Sequence, residues 1–351
     1  MKEFWSATIR DLSPYVPGEQ PRNAQLIKLN TNENPYPPSP QVLEALRAAA
    51  NADLRRYPDP EGMQLRQTIA NMHALNERQV FLGNGSDEVL AHTFYGLLKH
   101  KLPILFPDLT YSFYPIYCEL YDIAFERVPL NDDFVLNLEA FPSENGGVVL
   151  PNPNAPTGRG IGLDELRRFL DRNTKSVVVI DEAYVDFGAD SAVPLISDYE
   201  NLLLIQTISK SRSLAGMRVG FALGSENLVD ALNVVKGCFN SYPLDRLALA
   251  GAQAALEDQA YFNETTAKIC RSRERLSTAL GELGFEVLPS LANFVFTRHP
   301  AHSGSSLEQR LRENDILVRR FEQPRIADYL RITVGTDEEI DALLKVLQAI
   351  G

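Results

Sequence analysis

Apolar runs without polar interruption alternate with amphipathic stretches along most of the chain. Residues 177–180 and 202–205 are β-branched or aliphatic, and such runs are typical of strands that are buried on both faces. Residues 163–172 and 226–236 instead carry apolar side chains at helical spacing. This alternation predicts an α/β fold in which helices cover a mainly parallel sheet.

The same patterns predict the neighbouring elements. A helix is expected to begin at Pro40, because Ser39 is a good N-cap and proline is favoured in the first helical turn. Further predicted elements are strands at residues 79–82, 104–106, 148–150 and 219–222 and a helix at residues 245–256.

The C-terminal third of the chain changes in character. A long amphipathic helix is predicted over residues 263–283, followed by strands at 286–288, 293–296, 316–318 and 330–334 and helices at 307–313 and 338–350. A chain of 351 residues is too long for one ordinary core. We therefore expect a large domain over residues 35–255 and a small α+β domain built from residues 1–34 and 256–351.

Charge and composition restrict the possible partners. The chain has 34 Lys and Arg against 46 Asp and Glu, a formal net charge of −12, which is the wrong sign for a nucleic-acid binder. With 44% hydrophobic and 23% charged residues it has the composition of a soluble globular protein. Any anionic small-molecule substrate must be bound by locally placed cations.

Cysteine and histidine usage narrows the location and the chemistry. Cys118, Cys238 and Cys270 are odd in number and widely spaced, which argues for a reducing compartment. No export signal and no run of membrane-spanning length is visible, so we expect a cytoplasmic protein. The five histidines have no metal-ligand spacing, apart from the pair His299 and His302 on a predicted loop, and no metal is expected.

Lys210 is the first candidate for chemistry. It follows the apolar run 202–205, stands beside Ser209 and precedes Arg218 by eight positions. This arrangement suits pyridoxal phosphate, with Lys210 forming a Schiff base to the aldehyde and Ser209 and Arg218 holding the phosphate. Thr207 precedes them and is included among the cofactor-binding candidates. The alternative is that Lys210 is an ordinary solvated surface charge.

Two other strand ends carry polar residues that suit the same cofactor. Asp181 follows residues 177–180 and could pair with the pyridine nitrogen, although an Asp after a strand often only caps a turn. Asn154, in the proline-rich loop 151–158, could donate to the phenolic oxygen, with Tyr184 as a second donor. Taken alone, this loop is only a rigid turn.

A glycine-rich turn is the fourth component. Residues 79–90 predict a strand, a turn and the start of a helix, and free amides at a helix start favour an anion. The phosphate is therefore expected on Gly85 and Ser86, with Asp87 next to them. A turn followed by a helix cap would have the same appearance.

The order of these components resembles the fold-type I pyridoxal phosphate enzymes of the aspartate aminotransferase superfamily, over nearly the whole chain. Within that superfamily the chain resembles the histidinol-phosphate aminotransferase family. The segments that carry the closer resemblance are residues 13–18, 29–35, 56–60, 239–243 and 329–335. The resemblance implies a large domain with a mainly parallel seven-stranded sheet, a small α+β domain, and Lys210, Asp181 and Tyr184 as catalytic residues.

Further roles are implied at matching positions around the cofactor. Tyr111 matches the aromatic residue that stacks on the pyridine ring. Tyr57 matches a residue that reaches the cofactor phosphate of the neighbouring subunit, which implies a homodimer. Either tyrosine could instead simply pack.

The substrate side has its own matches. Tyr15 and Asn32 match positions at the mouth of the site, Arg331 matches the arginine that receives the anionic end of the substrate, and Arg319 matches a second arginine near the substrate phosphate. Arg320 faces the opposite way on a strand, so a register shift of one residue would exchange it with Arg319. The arginines could also be surface ion pairs of little consequence. Residues 321–328 match the family pattern least well.

The implied reaction interconverts histidinol phosphate and 2-oxoglutarate with imidazole-acetol phosphate and glutamate, with Lys210 moving the proton. Three alternatives stay open. An aromatic amino-acid aminotransferase of the same family and a phospho-amino-acid decarboxylase would use the same cofactor residues. A non-enzymatic regulator would be expected to carry a basic DNA-reading segment, and none is visible.

Overall fold

The computed structural model describes residues 4–6, 9, 12–20 and 26–349. The strands in its described residues are β1 (Ile27–Lys28), β2 (Val80–Asn84), β3 (Ile104–Pro107), β4 (Phe125–Val128), β5 (Gly147–Pro151), β6 (Val178–Asp181), β7 (Leu202–Thr207), β8 (Val219–Gly224), β9 (Glu286–Leu288), β10 (Phe294–Arg298), β11 (Ile316–Leu317), β12 (Arg319–Arg320) and β13 (Leu330–Thr333). The α-helices within residues 26–349 are α1 (Pro40–Ala49), α2 (Met63–Met72), α3 (Gly85–Leu97), α4 (Phe113–Tyr121), α5 (Leu163–Arg172), α6 (Glu226–Phe239), α7 (Arg246–Glu257), α8 (Gln259–Glu282), α9 (Gly304–Glu313) and α10 (Asp337–Gln348). Short 3₁₀-helices lie at Ala52–Arg55, Glu77–Gln79, Leu138–Ala140, Val185–Phe187, Val193–Leu195, Ala215–Met217 and Pro324–Ile326.

The main sheet has seven strands in the order β2, β8, β7, β6, β5, β3 and β4. All neighbouring pairs are parallel except those of β8, which runs antiparallel to both β2 and β7. The prediction of a mainly parallel seven-stranded sheet is therefore confirmed. The strand register pairs Pro151 with Asp181 and Asp181 with Ile205, so the carboxyl ends of β5, β6 and β7 lie side by side.

The antiparallel strand β8 brings two more segments to this edge. It begins at Val219, which pairs with Asn84 at the end of β2. Arg218 therefore lies next to the turn that starts α3. Since residues that follow parallel strands meet at one edge of a sheet, the candidate residues after β2, β5, β6 and β7 converge there.

Alternate residues of the central strands pack on opposite faces of the sheet. Val179 and Leu203 face a layer formed by α3, α4 and α6, and Ile180 and Leu204 face a layer that includes α1, α2, α5 and α7. Every residue of β7 and β8 is buried. This double burial explains why these strands consist almost entirely of apolar residues.

A second, antiparallel sheet has the strand order β12, β13, β10 and β9, and α8, α9 and α10 contribute to its core. The strand predicted at residues 316–318 is found at Ile316–Leu317, and a separate short strand, Arg319–Arg320, follows it. Ile316–Leu317 pairs in parallel with β1, whereas Arg319–Arg320 pairs with β13. The sequence did not predict that these two strands pair in different sheets, because β1 lies far upstream and a local pattern does not reveal that pairing.

Capping residues explain several helix boundaries. The Ser39 hydroxyl accepts a hydrogen bond from the Val42 amide at the start of α1, as predicted. The long helix begins at Gln259, four residues earlier than predicted, because the Asp258 side chain caps it. The predicted end of the last helix, at residue 350, lies outside the described residues.

Within the described part of the chain, no helix combines the length and the apolar character that crossing a bilayer requires. The same residues contain no cluster of three or more His, Cys, Asp or Glu side chains arranged to hold a metal ion.

Candidate active site

A cavity of about 180 Å³ lies at the carboxyl edge of the main sheet. Its wall also includes residues of β12, β13 and the N-terminal segment. The lining residues are Tyr15, Gly18, Asn30, Thr31, Asn32, Ser86, Asp87, Tyr111, Asp181, Ala183, Tyr184, Thr207, Ser209, Lys210, Ala215, Arg218, Arg319 and Arg331. Of the sixteen residues predicted for the site, all but Gly85, Asn154 and Tyr57 line this cavity.

Lys210 lies on the loop after β7, and the N-terminal segment packs against it. Its Nζ is 3.4 Å from the carbonyl oxygen of Thr31 and 5.8 Å from the centre of the Tyr184 ring. The Nδ2 of Asn34 donates to the carbonyl oxygens of Lys210 and Ser211 over 3.0 and 3.3 Å. Asn34 thus holds the backbone that carries the amine, a contact that the sequence did not reveal.

Asp181 ends β6 and is buried beneath the cavity. The hydroxyl of Tyr114 donates to its Oδ2 over 2.7 Å, and the amide of Ala183 donates to its Oδ1 over 3.2 Å. Burial raises the pKa of Asp181 to about 6, although both hydrogen bonds oppose the rise. Tyr114 was missed in the sequence, yet it stands only three positions after Tyr111, where both could face one site from the start of a helix.

The glycine-rich turn is packed closely against Arg218. Gly85 has φ +78°, and a Cβ there would lie 2.4 Å from Nη2 of Arg218. A Cβ on Gly220 would lie 2.3 Å from the Ser86 amide nitrogen. Only residues without side chains at these two positions allow the backbone and the guanidinium to approach in this way.

Asp87 joins two of the predicted cofactor residues. Its Oδ1 accepts a hydrogen bond from the Tyr111 hydroxyl over 2.9 Å, and its Oδ2 pairs with Nη2 of Arg218 at 3.0 Å. Burial raises the pKa of Tyr111 well above its usual range. Asp87 lies in the first turn of α3, where the helix dipole favours a negative charge.

Thr207 and Ser209 support the start of the lysine loop. The hydroxyl oxygen of Thr207 accepts a hydrogen bond from the Ser209 amide over 3.1 Å, and the two hydroxyl oxygens lie 2.8 Å apart. Both side chains are buried at the cavity wall.

Asn32 connects the N-terminal segment with Tyr184. Its Nδ2 donates to the Tyr184 hydroxyl oxygen over 2.9 Å, and its amide donates to the Thr333 hydroxyl oxygen over 2.9 Å. Its Oδ1 accepts from the Thr333 hydroxyl, and its carbonyl accepts from Nδ2 of Asn293. Most of the polar groups of Asn32 are therefore used within the protein, and it holds Tyr184 in place.

Two arginines form the opposite wall. Arg319 and Arg331 are cross-strand partners on β12 and β13, and the Phe321 ring lies 5.8 and 5.7 Å from their guanidinium carbons. Within residues 26–349 neither forms an ion pair, whereas Arg320 pairs with Glu308 at 2.8 Å. It is therefore Arg319, and not Arg320, that lines the cavity.

Arg331 is also incompletely hydrogen-bonded. Its Nη2 donates to the Asn30 carbonyl oxygen over 3.1 Å, while its buried Nε has no partner among the described residues. Burial lowers the pKa of Arg331, and the charge of Arg319 adds to that effect. An anion in the cavity would give the Nε of Arg331 an acceptor and would offset the cost of burying its charge beside Arg319.

Tyr15 also lines the cavity. Its ring is 4.4 Å from that of Phe113 and 6.5 Å from that of Tyr111. It thus joins an aromatic wall on the side of α4.

Two predicted residues lie away from the cavity. Tyr57 is 77% exposed and stacks on Tyr242, with the ring centres 4.5 Å apart. Asn154 is buried, and its Nδ2 donates to the Leu109 carbonyl oxygen and to the Thr157 hydroxyl oxygen. Both amide hydrogens of Asn154 are used in this way, so its role toward a cofactor stays a prediction.

Known proteins match both this fold and the chain as a whole. Residues 24–347 match the family described as aminotransferase class I and II. The chain belongs to this aminotransferase family. It is 59% identical to histidinol-phosphate aminotransferase 2 of Thiobacillus denitrificans, over 99% of this chain and 98% of that protein. It is 58% identical to histidinol-phosphate aminotransferase 1 of Methylococcus capsulatus, over 100% of this chain and 98% of that protein.

A solved structure agrees with this family membership. The aminotransferase superimposes on histidinol-phosphate aminotransferase from Sinorhizobium meliloti, determined in complex with pyridoxal-5'-phosphate, with a TM-score of 0.85 and 27% identity. The match covers 93% of this chain and 92% of that chain.

Aminotransferases of this class depend on pyridoxal phosphate, and the residues at the sheet edge fit that group. The helix start at Gly85 and the adjacent Arg218 offer amides and a cation to a phosphate. The buried carboxyl of Asp181, whose pKa burial raises, lacks a cationic partner among the described residues, and a protonated pyridine nitrogen would supply one.

Proposed function

We propose that this aminotransferase transfers the amino group between histidinol phosphate and 2-oxoglutarate, giving imidazole-acetol phosphate and glutamate, as a step of histidine biosynthesis. One observation carries this proposal: Arg319 and Arg331 face the same cavity as Lys210, and within residues 26–349 neither has a carboxylate partner. Two unpaired guanidinium groups suit a doubly charged phosphate, and one of them suits the carboxylate of glutamate. The names of the two bacterial relatives support the same substrate.

The phosphate and one face of the ring would be held by groups that follow β2, β3 and β7. Gly85 and Ser86 would offer backbone amides to its phosphate, and Ser209 and Arg218 would add a hydroxyl and a cation. Tyr111 would stack on the ring, and its hydroxyl is already anchored on Asp87. When bound, pyridoxal phosphate supplies an electron-withdrawing ring that stabilises negative charge at the substrate carbon.

Lys210 would attach the cofactor covalently and then act as the proton carrier. Its Nζ rests against the Thr31 carbonyl oxygen, so the amine is oriented without a strong ionic partner to compete for it. Once displaced by a substrate amine, the Nζ of Lys210 would accept and return the proton at the nitrogen-bearing carbon.

Asp181 would keep the ring nitrogen protonated. A carboxyl in a buried site favours a charged partner strongly, because an isolated charge there is costly. Tyr114 and Ala183 hold the carboxylate by hydrogen bonds, so that it stays ionised and aimed at the ring.

Tyr184 would donate to the phenolic oxygen of the cofactor, and Asn32 orients its hydroxyl from behind. Tyr15, which packs on Phe113, would close the mouth over the substrate and exclude water. The N-terminal segment and the loop after β6 thus contribute to one site.

We further propose that the enzyme works as a homodimer. Tyr57 is 77% exposed and does not line the cavity of its own subunit, so it is available to a second copy. Nearby, Tyr95, Val234 and Phe239 are exposed around a largely apolar groove of about 730 Å³ between α3 and α6. Exposed apolar surface of this extent is typical of a subunit interface.

The domain division and the compartment also stay proposals. The large domain would span residues 35–255, and the small one residues 1–34 and 256–351. Phe296 and Tyr329 pack in the main core, and Phe187 packs in the other, so the boundary between the two would be apolar and closely packed. The three unpaired cysteines support a reducing compartment such as the cytoplasm.

The substrate proposal is tested with purified enzyme, pyridoxal phosphate and a substrate panel. We expect glutamate to form from 2-oxoglutarate with histidinol phosphate, much faster than with phenylalanine or tyrosine. Preference for the aromatic amino acids would instead indicate an aromatic aminotransferase. Release of CO₂ from phosphothreonine would indicate a decarboxylase.

Two matched variants sharpen this test. Arg319→Ala is expected to raise KM for histidinol phosphate about tenfold or more, because a charge-assisted contact to the phosphate is lost. Arg320→Ala is the control, since Arg320 pairs with Glu308 outside the cavity. Equal effects of the two variants would contradict the proposed contact between Arg319 and the substrate phosphate. Lys210→Ala should abolish both turnover and the covalent label that borohydride reduction leaves on the protein.

A further inference from the structure

Arg246 holds the backbone of the segment that carries Tyr57. Its Nη2 donates to the Tyr57 carbonyl oxygen over 2.8 Å, and its Nε donates to the Arg56 carbonyl oxygen over 3.2 Å. Two hydrogen bonds from one planar guanidinium fix both the position and the direction of the peptide between these residues. No motif identified in the sequence included Arg246.

The position of Arg246 in its helix is unfavourable for a cation. It is the first residue of α7, where the helix dipole disfavours positive charge, and the Asp245 side chain already caps that end. Among the described residues no ion pair compensates, and the contacts found for the guanidinium are those to the two carbonyl oxygens. The guanidinium of Arg246 therefore stabilises the segment that carries Tyr57 and does not stabilise its own helix.

Two other contacts complete the support of this segment. The ring of Tyr57 stacks on Tyr242 with an interplanar angle of 20°, and Lys236 donates to the Pro60 carbonyl oxygen over 3.0 Å. Tyr242 immediately precedes Pro243, whose carbonyl oxygen accepts a hydrogen bond from Nδ2 of Asn84, the residue before the phosphate turn. The support of Tyr57 is thus continuous with the cofactor site of its own subunit.

Fixing the backbone matters because the side chain it carries is so exposed. A tyrosine with 77% of its surface exposed has few neighbours to define its direction, apart from Tyr242. A hydroxyl that is placed in advance loses less conformational entropy when it binds a phosphate.

We propose that Arg246 is a positioning residue that presents Tyr57 to the cofactor phosphate of the partner subunit. This rests on the proposed function, in which Tyr57 reaches across a homodimer. Arg246 itself would touch neither cofactor nor substrate.

The test measures the dissociation constant of pyridoxal phosphate from the dimeric holoenzyme. Tyr57→Phe and Arg246→Ala are each expected to weaken binding about five- to tenfold, the effect of losing one hydrogen bond to a charged group. The double variant should be no weaker than Tyr57→Phe alone, because both act through one hydroxyl. Arg246→Lys should recover part of the loss, and Arg167→Ala, at a surface ion pair, is the control.

These measurements distinguish a failure of the proposed role of Tyr57 from a failure of the proposed role of Arg246. If Tyr57→Phe leaves the affinity unchanged, the crossing role of Tyr57 is wrong and the role of Arg246 falls with it. If Tyr57→Phe weakens binding but Arg246→Ala does not, or if the two losses add, Arg246 is not the positioning residue. Sedimentation of each variant establishes that the dimer is intact at the concentration used.

Hybrid dimers show which subunit's Arg246 affects cofactor binding at a given active site. In such a dimer one subunit carries Lys210→Ala and is inactive, so all turnover comes from the active site of the other subunit. The Tyr57 that reaches this active site belongs to the inactive subunit. Arg246→Ala in the inactive subunit should raise the cofactor concentration that gives half-maximal turnover. Arg246→Ala in the active subunit should leave that concentration unchanged. Equal effects from both subunits would indicate a general structural role and overturn the proposal.

Discussion

The hydroxyl of Tyr114 donates a 2.7 Å hydrogen bond to the carboxylate of Asp181, and both side chains are buried. Burial favours the neutral acid, whereas this hydrogen bond favours the carboxylate. The balance leaves Asp181 with a pKa of about 6, close enough to neutral pH for a single contact to change its charge state.

Tyr114→Phe is therefore expected to impair the enzyme through Asp181. Without the donor the pKa of Asp181 rises further, less carboxylate is available to the ring nitrogen, and kcat should fall about tenfold, as expected for a lost hydrogen bond to a charged group. The acidic limb of the kcat profile should also move to higher pH. Tyr199→Phe is the control, because it removes a hydrogen bond to Asp171 of the same length at the surface. An unchanged pH profile in Tyr114→Phe would rule out this role.

Asn34→Ala should affect catalysis through the lysine backbone. The variant loses the donor to the carbonyl oxygens of Lys210 and Ser211, so the amine is held less well, and we expect kcat to fall about tenfold with a stability loss of about 1–2 kcal/mol. Steady-state kinetics and urea unfolding measure the two effects. Asn71→Ala, on the exposed face of α2, should change neither. A loss of stability without a loss of kcat would limit Asn34 to a structural role.

Gly220→Ala tests how closely the phosphate turn is packed. The new Cβ would lie 2.3 Å from the Ser86 amide nitrogen and 2.5 Å from the Gly85 carbonyl carbon, so the backbone of the turn must move. We expect weaker cofactor binding and a loss of about 1–3 kcal/mol in unfolding free energy, as for other overpacked sites. Gly281→Ala in α8 meets no atom within 4 Å and should be neutral or slightly stabilising. Normal cofactor affinity in Gly220→Ala would contradict the packed arrangement.

The buried carboxyl of Glu182 should make the unfolding free energy of the protein depend on pH. Its buried carboxyl accepts hydrogen bonds from Ser191, Ala192 and Gln206, yet burial raises its pKa to about 7 from an ordinary value of 4.5. Between these values the folded protein keeps a proton that the unfolded chain releases. The contribution of Glu182 to stability is therefore fully present below pH 4.5 and is lost as pH rises to about 7, by at most about 1.4 kcal/mol per pH unit.

The comparison with Glu182→Gln isolates this effect. Urea unfolding at several pH values should give a stability difference, wild type minus variant, that decreases from pH 5 to pH 7 and then levels off. Glu200→Gln, at an exposed position, supplies the background slope. A difference that does not change with pH would mean that Glu182 titrates alike in the folded and unfolded states.

Much of the fold was predictable from local patterns. The strands β5 to β8 are uninterrupted apolar runs because both of their faces are buried, and that burial leaves a signal in consecutive residues. Asp181, which ends β6, and Lys210, on the loop that follows β7, stood out for the same reason. Since parallel strands end at one edge, their convergence followed from the fold class alone.

The contacts that orient these residues were decided by long-range packing. Asn34 reaches Lys210 across 176 positions and Tyr114 reaches Asp181 across 67, and no local pattern reports such distances. The choice between Arg319 and Arg320 likewise depends on the pairing of β12 with β13, since one residue of register exchanges the two faces of a strand. Residue type and order carry the chemistry of each group, whereas its direction and its partner depend on segments that meet only when the chain has folded.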